Sequence, residues 1–226
     1  MSDERESVPT TAPILIDPDE IAEKEAANAI EQYDRVLDLI DMCVRDGRPF
    51  RLRPSTILTL HKVATTGLLR LAGTFRNANV KISKSKHIPP DDAQVPGLVE
   101  DMCDWVNDRW NTTSALDLAA YVMWRLNWIH PFDDGNGRTT RAVSYLVMSV
   151  RAGHRLPGNP TIPEQIAAAK TPYYEALEAA DTAEKAGQID VGKMRDLLES
   201  YLAAQLVGAH EQAMSVSDAQ DDRKFH

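Results

Sequence analysis

From Ser114 to Ile129 the chain carries Leu118, Val122, Leu126 and Ile129 at helical spacing, with too little polarity around them for a surface helix. A helix this apolar has to be surrounded by other elements, so the chain must supply several amphipathic helices to cover it. The flanking sequence supplies them. Asp17-Pro18 opens a segment in which Ile21, Ala29, Ile30, Tyr33, Val36, Leu37 and Ile40 recur at the spacing of a helix face, and Gly47 closes it. Asp17 suits the cap, and Glu20 stands at the capping-box position. A second helix starts at Pro54 with Ile57, Leu60, Val63 and Ala64, and runs out near Gly67. Periodicity returns from Pro96 to Trp110, from about Gly137 to Arg151, and in further stretches starting near Pro163, Pro172 and Asp190. The expectation is an all-α bundle of seven or eight helices in one domain over 17–213. Residues 1–16 are read as a flexible arm and 214–226 as a flexible tail.

One segment departs from this pattern. Between Gly73 and Pro90 the chain alternates around Asn77-Ala78-Asn79 and carries Val80, Lys81, Ile82, Lys84 and Lys86. That reads as a small β-hairpin closed by Pro89-Pro90. Composition excludes several classes. A net charge of -9 is wrong for a duplex-binding protein, so no nucleic-acid partner is expected. No apolar run is long enough to span a bilayer, and no membrane role is expected. Cys43 and Cys103 cannot form a disulfide framework, and the simplest reading is a cytoplasmic protein. No P-loop pattern is present, and the cysteines and histidines have no zinc spacing. His61 and His154 read as packed or solvated, and Trp105, Trp110, Trp124 and Trp128 as core or groove aromatics.

Chemistry concentrates in His130-Pro131-Phe132-Asp133-Asp134-Gly135-Asn136-Gly137-Arg138 and in Arg141 three residues on. A Gly/Asn-rich loop entering a helix near Gly137 leaves backbone N–H groups without intrahelical partners, which attract an anion such as phosphate. Arg138 and Arg141 are neighbours on the helix surface and supply forked, charge-assisted bonds. Asp134 offers a hard oxygen suited to Mg²⁺ shared with phosphate oxygens. His130, at the end of the preceding helix, titrates near neutrality and suits a general base. Together these parts describe transfer at phosphorus. General-base help supplies about two to four orders of magnitude, so positioning and charge stabilisation must supply the rest. Each piece also has a plain reading, with His130-Pro131 a helix stop and the arginines surface cations; only their occurrence together singles them out.

The segment resembles the signature of the Fic family, His-x-Phe-x-(Asp/Glu)-Gly-Asn-(Gly/Lys)-Arg with a second Arg three residues later, and matches every fixed position. The likeness extends over roughly 54–180, including Gly73-Thr74-Phe75-Arg76 and Pro89-Pro90. It implies a Fic-type helical bundle with a β-hairpin flap over the active site, and a nucleotidyltransferase moving AMP from Mg-ATP to a hydroxyl of a target protein. In that frame His130 is the base, Asp134 binds Mg²⁺, and Gly135, Asn136 and Gly137 cradle the phosphates. Arg138 and Arg141 hold the β- and γ-phosphates, and Phe132 is a buried anchor. Gly137, where some members carry Lys, favours AMP over phosphate transfer. The flap, placed at Val80, Lys81, Ile82, Ser83 and Lys84, would bind an extended target segment by strand addition; read without the family, its lysines are a solvated edge. Another nucleotide donor, AMP removal, and a non-catalytic nucleotide- or partner-binding regulator stand as alternatives. So do an antitoxin partner and a homo-oligomer. The family's inhibitory pattern, (Ser/Thr)-x-x-x-Glu-(Gly/Asn), has no strict copy. Its degenerate candidate is Ala27-Asn28-Ala29-Ile30-Glu31-Gln32, in which Glu31 is either a partner of Arg141 or a solvated helix carboxylate.

Overall fold

The computed structural model describes residues 5, 7, 8 and 14–222, with side chains described up to residue 214 except that of Val8. In chain order the elements are β1 (Ser7–Val8), α1 (Pro18–Val44), α2 (Pro54–Thr65), β2 (Lys81–Ile82), a 3₁₀ turn (Asp92–Gln94), α3 (Val95–Asp108), α4 (Ala115–Ile129), α5 (Asn136–Ala152), α6 (Ile162–Ala168), α7 (Lys170–Lys185) and α8 (Gly192–Asp222). The all-α expectation is met, and no described helix is long and apolar enough to cross a membrane.

The centre is the pair α4 and α5. Ser114 caps α4 by accepting the Asp117 N–H at 3.1 Å. Leu118, Val122, Leu126 and Ile129 are all fully buried, as the sequence required. α5 lies against α4, with the Ser144 hydroxyl donating to the Ala119 carbonyl at 2.9 Å. α1 and α2 cover α5, while α3, α7 and α8 cover α4. The Trp124 indole N–H donates to Asp181 Oδ1 at 2.9 Å and so ties α4 to α7. Trp124 is buried, and Trp105 stacks on Tyr121 with ring centroids 3.7 Å apart, as packing aromatics should.

α1 begins as expected, with the Asp17 carboxylate accepting the Asp19 N–H at 2.8 Å and Pro18 in the first turn. Its buried stripe includes two amides, Asn28 and Gln32. Asn28 Nδ2 donates to the carbonyls of Ala64 and Thr66 at 3.3 and 2.9 Å, and Gln32 Nε2 to that of Leu60 at 3.0 Å. The two Asn28 bonds satisfy carbonyls at the C-terminal end of α2, where helical residues run out of intrahelical donors. At the other end, loop 157–160 presses on α8 through Gly158, where φ is 95° and an added Cβ would lie 2.0 Å from the Gln205 carbonyl oxygen.

Three details differ from the sequence reading. The hairpin around Asn77–Asn79 does not form: the Asn79 side chain bonds Asp91 Oδ2 and the Asp92 N–H, at 3.3 and 3.1 Å. Asn79 therefore closes the neck of a loop. The chain turns later, at Lys84, where φ is 55°, and β2 pairs antiparallel with β1, Ser7 opposite Ile82 and Val8 opposite Lys81. Part of the presumed N-terminal arm is thus a strand beside the flap. Lastly, α8 continues to Asp222, since nothing after Gly208 in its sequence breaks a helix.

Replacing Asn28 with Ala removes the donors that hold the end of α2. Equilibrium urea denaturation is expected to show a loss of about 1–3 kcal/mol with little change in slope.

Candidate active site

Residues 130–135 connect α4 to α5. Both ends of this connection need left-handed backbone. His130 ends α4 at φ 51°, ψ 58°, and Gly135 precedes α5 at φ 76°. Gly135 has a second reason to be glycine: an added Cβ would stand 2.7 Å from Thr65 Cγ2 and 3.4 Å from the His61 ring. Histidine tolerates the left-handed region better than most residues, but it has to be held there. Arg76 does this. It is buried; its backbone N–H donates to the Pro131 carbonyl and its Nε to the His130 carbonyl, both at 2.9 Å. Its other nitrogens donate to the carbonyls of Ala78 and Pro90 at 3.0 and 2.5 Å. One guanidinium therefore clasps the flap's two ends to the loop.

Inside the loop, Asn136 Oδ1 accepts the Phe132 N–H at 2.9 Å and its Nδ2 donates to the Phe132 carbonyl at 2.8 Å, closing a tight ring. Phe132 is fully buried and lies flat on His61, with centroids 3.7 Å apart and planes 3° from parallel. The His61 Nδ1 accepts the Gly73 N–H and its Nε2–H donates to the Asp134 carbonyl, both at 3.0 Å. Those two bonds require the neutral tautomer. Burial lowers the His61 pKa to about 4. His61 is packed, as the sequence suggested, and it also positions the loop, which no local signal announced.

His130, the base candidate of the sequence, is buried within this arrangement. Its Nδ1–H points to the Asn127 carbonyl at 3.4 Å, leaving Nε2 as an acceptor. Burial, first among the causes, lowers its pKa to about 3. The imidazole is therefore neutral at pH 7 with Nε2 as an acceptor, and burial takes it away from the near-neutral titration that the sequence suggested. Nε2 already has a hydroxyl beside it, Ser7 Oγ at 2.8 Å.

His130 opens on a cleft of about 620 Å³, a volume in the range of small-molecule sites. Asp134, Gly135, Asn136, Gly137, Arg138 and Arg141 line it from below, and Ile82 and Ser85 of the flap from above. The loop residues singled out in the sequence thus meet in one place, whereas of the flap residues Val80, Lys81, Ile82, Ser83 and Lys84 only Ile82 lines the cleft. The N-terminus of α5 has no side-chain cap, so the first-turn N–H groups lack intrahelical acceptors at the cleft. Gly137 leaves room there, since a Cβ would come 3.2 Å from Arg141 Nη1. Arg138 forks between two carboxylates, Glu25 at 3.0 Å and Asp134 at 3.3 Å. Arg141 is half-buried, and its desolvation lowers its pKa from the ordinary value. Its neighbours are Tyr173 and Tyr174, and among the described residues no carboxylate pairs with it. A guanidinium stays charged in proteins, so a sheltered one without a counter-ion favours an incoming anion.

No group of three or more His, Cys, Asp or Glu among the described residues could hold a metal by itself. The Asp134 carboxylate is part-exposed at the cleft beside the cationic phosphate cradle. A single carboxylate in that place fits Mg²⁺ arriving with phosphate oxygens, the ion's usual mode with nucleotides.

Glu31 requires correction. It is exposed on α1 and does not line the cleft; the α1 carboxylate that reaches the motif is Glu25, and it meets Arg138 rather than Arg141. At about 100° per residue, Glu25 and Glu31 lie on opposite sides of the stripe through Asn28 that faces α2. Only Glu25's side turns to the loop.

Comparison with known proteins agrees with this geometry. Residues 51–148 match the Fic/DOC family. A protein adenylyltransferase, fic-1, of Caenorhabditis briggsae is 39% identical over 85 residues, which are 36% of this chain and 16% of that protein. The chain thus matches under a fifth of that relative's length. A Fic family protein from Desulfovibrio desulfuricans superposes with a TM-score of 0.61 at 22% identity, over 90% of this chain and 56% of that one. The BepC protein of Bartonella tribocorum, solved with bound AMPPNP, has a TM-score of 0.58 at 16% identity, over 86% and 93% of the two chains. These likenesses show the fold.

His61 and His130 make stability depend on pH. Both have folded pKa values below the unfolded value of 6.5, so unfolding takes up protons below that pH. Their contribution is complete above pH 6.5 and is lost as pH falls toward about 4 and 3 respectively. Urea midpoints should fall steadily from pH 7 to pH 5, each histidine adding a slope of up to about 1.4 kcal/mol per pH unit. His61→Gln should give a shallower dependence.

Proposed function

Residues 51–148 are a Fic/DOC-family segment, and on that premise we propose that the chain transfers AMP from Mg-ATP to a hydroxyl side chain of a protein docked at the flap. One observation carries the reading: a neutral, sheltered His130 opens on the same cleft as an uncapped helix start and a guanidinium with no carboxylate partner among the described residues. The name of the C. briggsae relative and the AMPPNP bound to the Bartonella protein support it.

The β- and γ-phosphates lie against the first N–H groups of α5, between Arg138 and Arg141. Asp134 holds Mg²⁺ there, which supplies neutralisation of phosphate charge when bound. A hydroxyl on a strand beside β2 approaches His130 Nε2, which takes its proton as the oxygen attacks the α-phosphorus. Pyrophosphate leaves. Gly137, where some members of the Fic family carry Lys, supports the orientation that exposes the α-phosphorus. The cationic floor lowers the cost of the charge that develops.

Arg138 must turn from Glu25 to the phosphates for this to happen. Glu25 thus competes with ATP for Arg138, in place of the Glu31–Arg141 pair that the sequence suggested. The pair is part-exposed, with side-chain exposures of 21% and 47%, so its effect is modest. Glu25→Gln should tighten Mg-ATP binding by a factor of less than about ten, measured by titration calorimetry; weaker binding would assign Glu25 a supporting role.

Protein incubated with Mg²⁺ and ATP labelled at the α-phosphate should transfer label to protein, and ATP labelled at the γ-phosphate should not. His130→Ala should abolish transfer while keeping most ATP affinity, because the imidazole meets the hydroxyl rather than the phosphates. Transfer of γ-label would replace AMP transfer with phosphate transfer.

A further inference from the structure

The strand beside the flap belongs to this chain. β1 pairs antiparallel with β2, Ser7 opposite Ile82. Alternation along a strand puts residues two apart on one face, and Arg5 and Ser7 accordingly both line the cleft. Arg5 is an anchor: its guanidinium pairs with Glu178 and lies 4.4 Å over the Tyr174 ring, while its backbone N–H donates to the Tyr174 hydroxyl at 3.1 Å. Ser7 is placed as a nucleophile. Its Oγ stands 2.8 Å from His130 Nε2 and accepts from Asn136 Nδ2 at 3.2 Å. Since Nδ1 carries the ring proton toward Asn127, the Ser7 hydroxyl donates to Nε2. That is the contact a general base makes with the hydroxyl it activates.

We propose that Ser7 is a self-modification site, accepting AMP from ATP in the cleft of its own molecule. The proposal rests on the nucleotidyltransferase reading and names an acceptor for it. Ser7 Oγ bonds to the α-phosphorus, and its proton passes to His130 Nε2. The bond from the α-phosphorus to the oxygen bridging the β-phosphorus breaks, and pyrophosphate leaves with that electron pair. The products are an AMP–serine phosphodiester and pyrophosphate, and ATP is the only co-reactant. The geometry favours reaction within one molecule, because the acceptor is held on the flap before ATP arrives and no encounter is required.

The test uses the whole chain with Mg²⁺ and α-labelled ATP, and locates label by peptide mass spectrometry. The expected result is one AMP on Ser7, at a first-order rate that is unchanged on serial dilution. Ser7→Ala should remove that label, Ser7→Thr should restore it, and Arg5→Ala should slow it by loosening the strand. Label on other residues, label that persists in Ser7→Ala, or a rate proportional to protein concentration would overturn the proposal. Pyrophosphate release with label on added lysate proteins but none on Ser7 would overturn it while leaving the transferase reading intact. No pyrophosphate and no label on any protein would overturn both.

Discussion

Everything at the site depends on the short reversal between two buried helices. α4 and α5 pack side by side at the centre of the bundle, and residues 130–135 must turn the chain between them. Such a turn cannot be made with ordinary right-handed backbone, so His130 and Gly135 both take left-handed conformations. Strain of this kind persists only where the surroundings over-determine it. Here Arg76 holds the outer carbonyls, Asn136 closes the inner ring, and the His61–Phe132 stack fills the space beneath. The turn that needs most support is also the one that carries the His130 imidazole, the Asp134 carboxylate and the start of α5.

Burial does the electrostatic work. The chain is strongly acidic, at -9, yet the floor of the cleft holds two arginines and uncapped N–H groups. Net charge governs long-range behaviour, and a pocket answers to the few groups that line it. Removing His130 from water keeps it neutral, and among the described residues no carboxylate pairs with Arg141. The two effects are complementary. One makes a proton acceptor and the other an anion receptor, and both come from the same enclosure by α1, α5 and α7.

The flap joins the two halves of this chemistry. Arg76 and Asn79 tie its neck, and His87 returns it to α4 with Nε2 placed 2.7 Å from the Trp128 carbonyl. The flap presents a strand edge above His130, and an edge is a template for another strand. β1 occupies that template with main-chain pairing, and the alternation of a strand then decides which of its side chains enters the cleft.

The helices were legible in the sequence because their signals are local. The apolar run of α4, the Asp17 and Ser114 caps and the punctuation by Pro and Gly mark elements within one or two turns. The loop at the candidate site was legible for the same reason, being contiguous from His130 to Arg141. Tertiary structure alone decided what lies far apart in the chain. The Asn77–Asn79 turn looked like a hairpin, but Asn79 found better partners at Asp91 and Asp92. Glu31 and Glu25 are both plausible helix carboxylates in one dimension, and the packing of Asn28 and Gln32 on α2 sets which one faces the loop. Arg76 as a clasp, His61 as a support and Ser7 beside His130 depend on contacts across 54, 73 and 123 positions. Periodicity and spacing describe neighbours along one element, and contacts between elements depend on how the whole core packs.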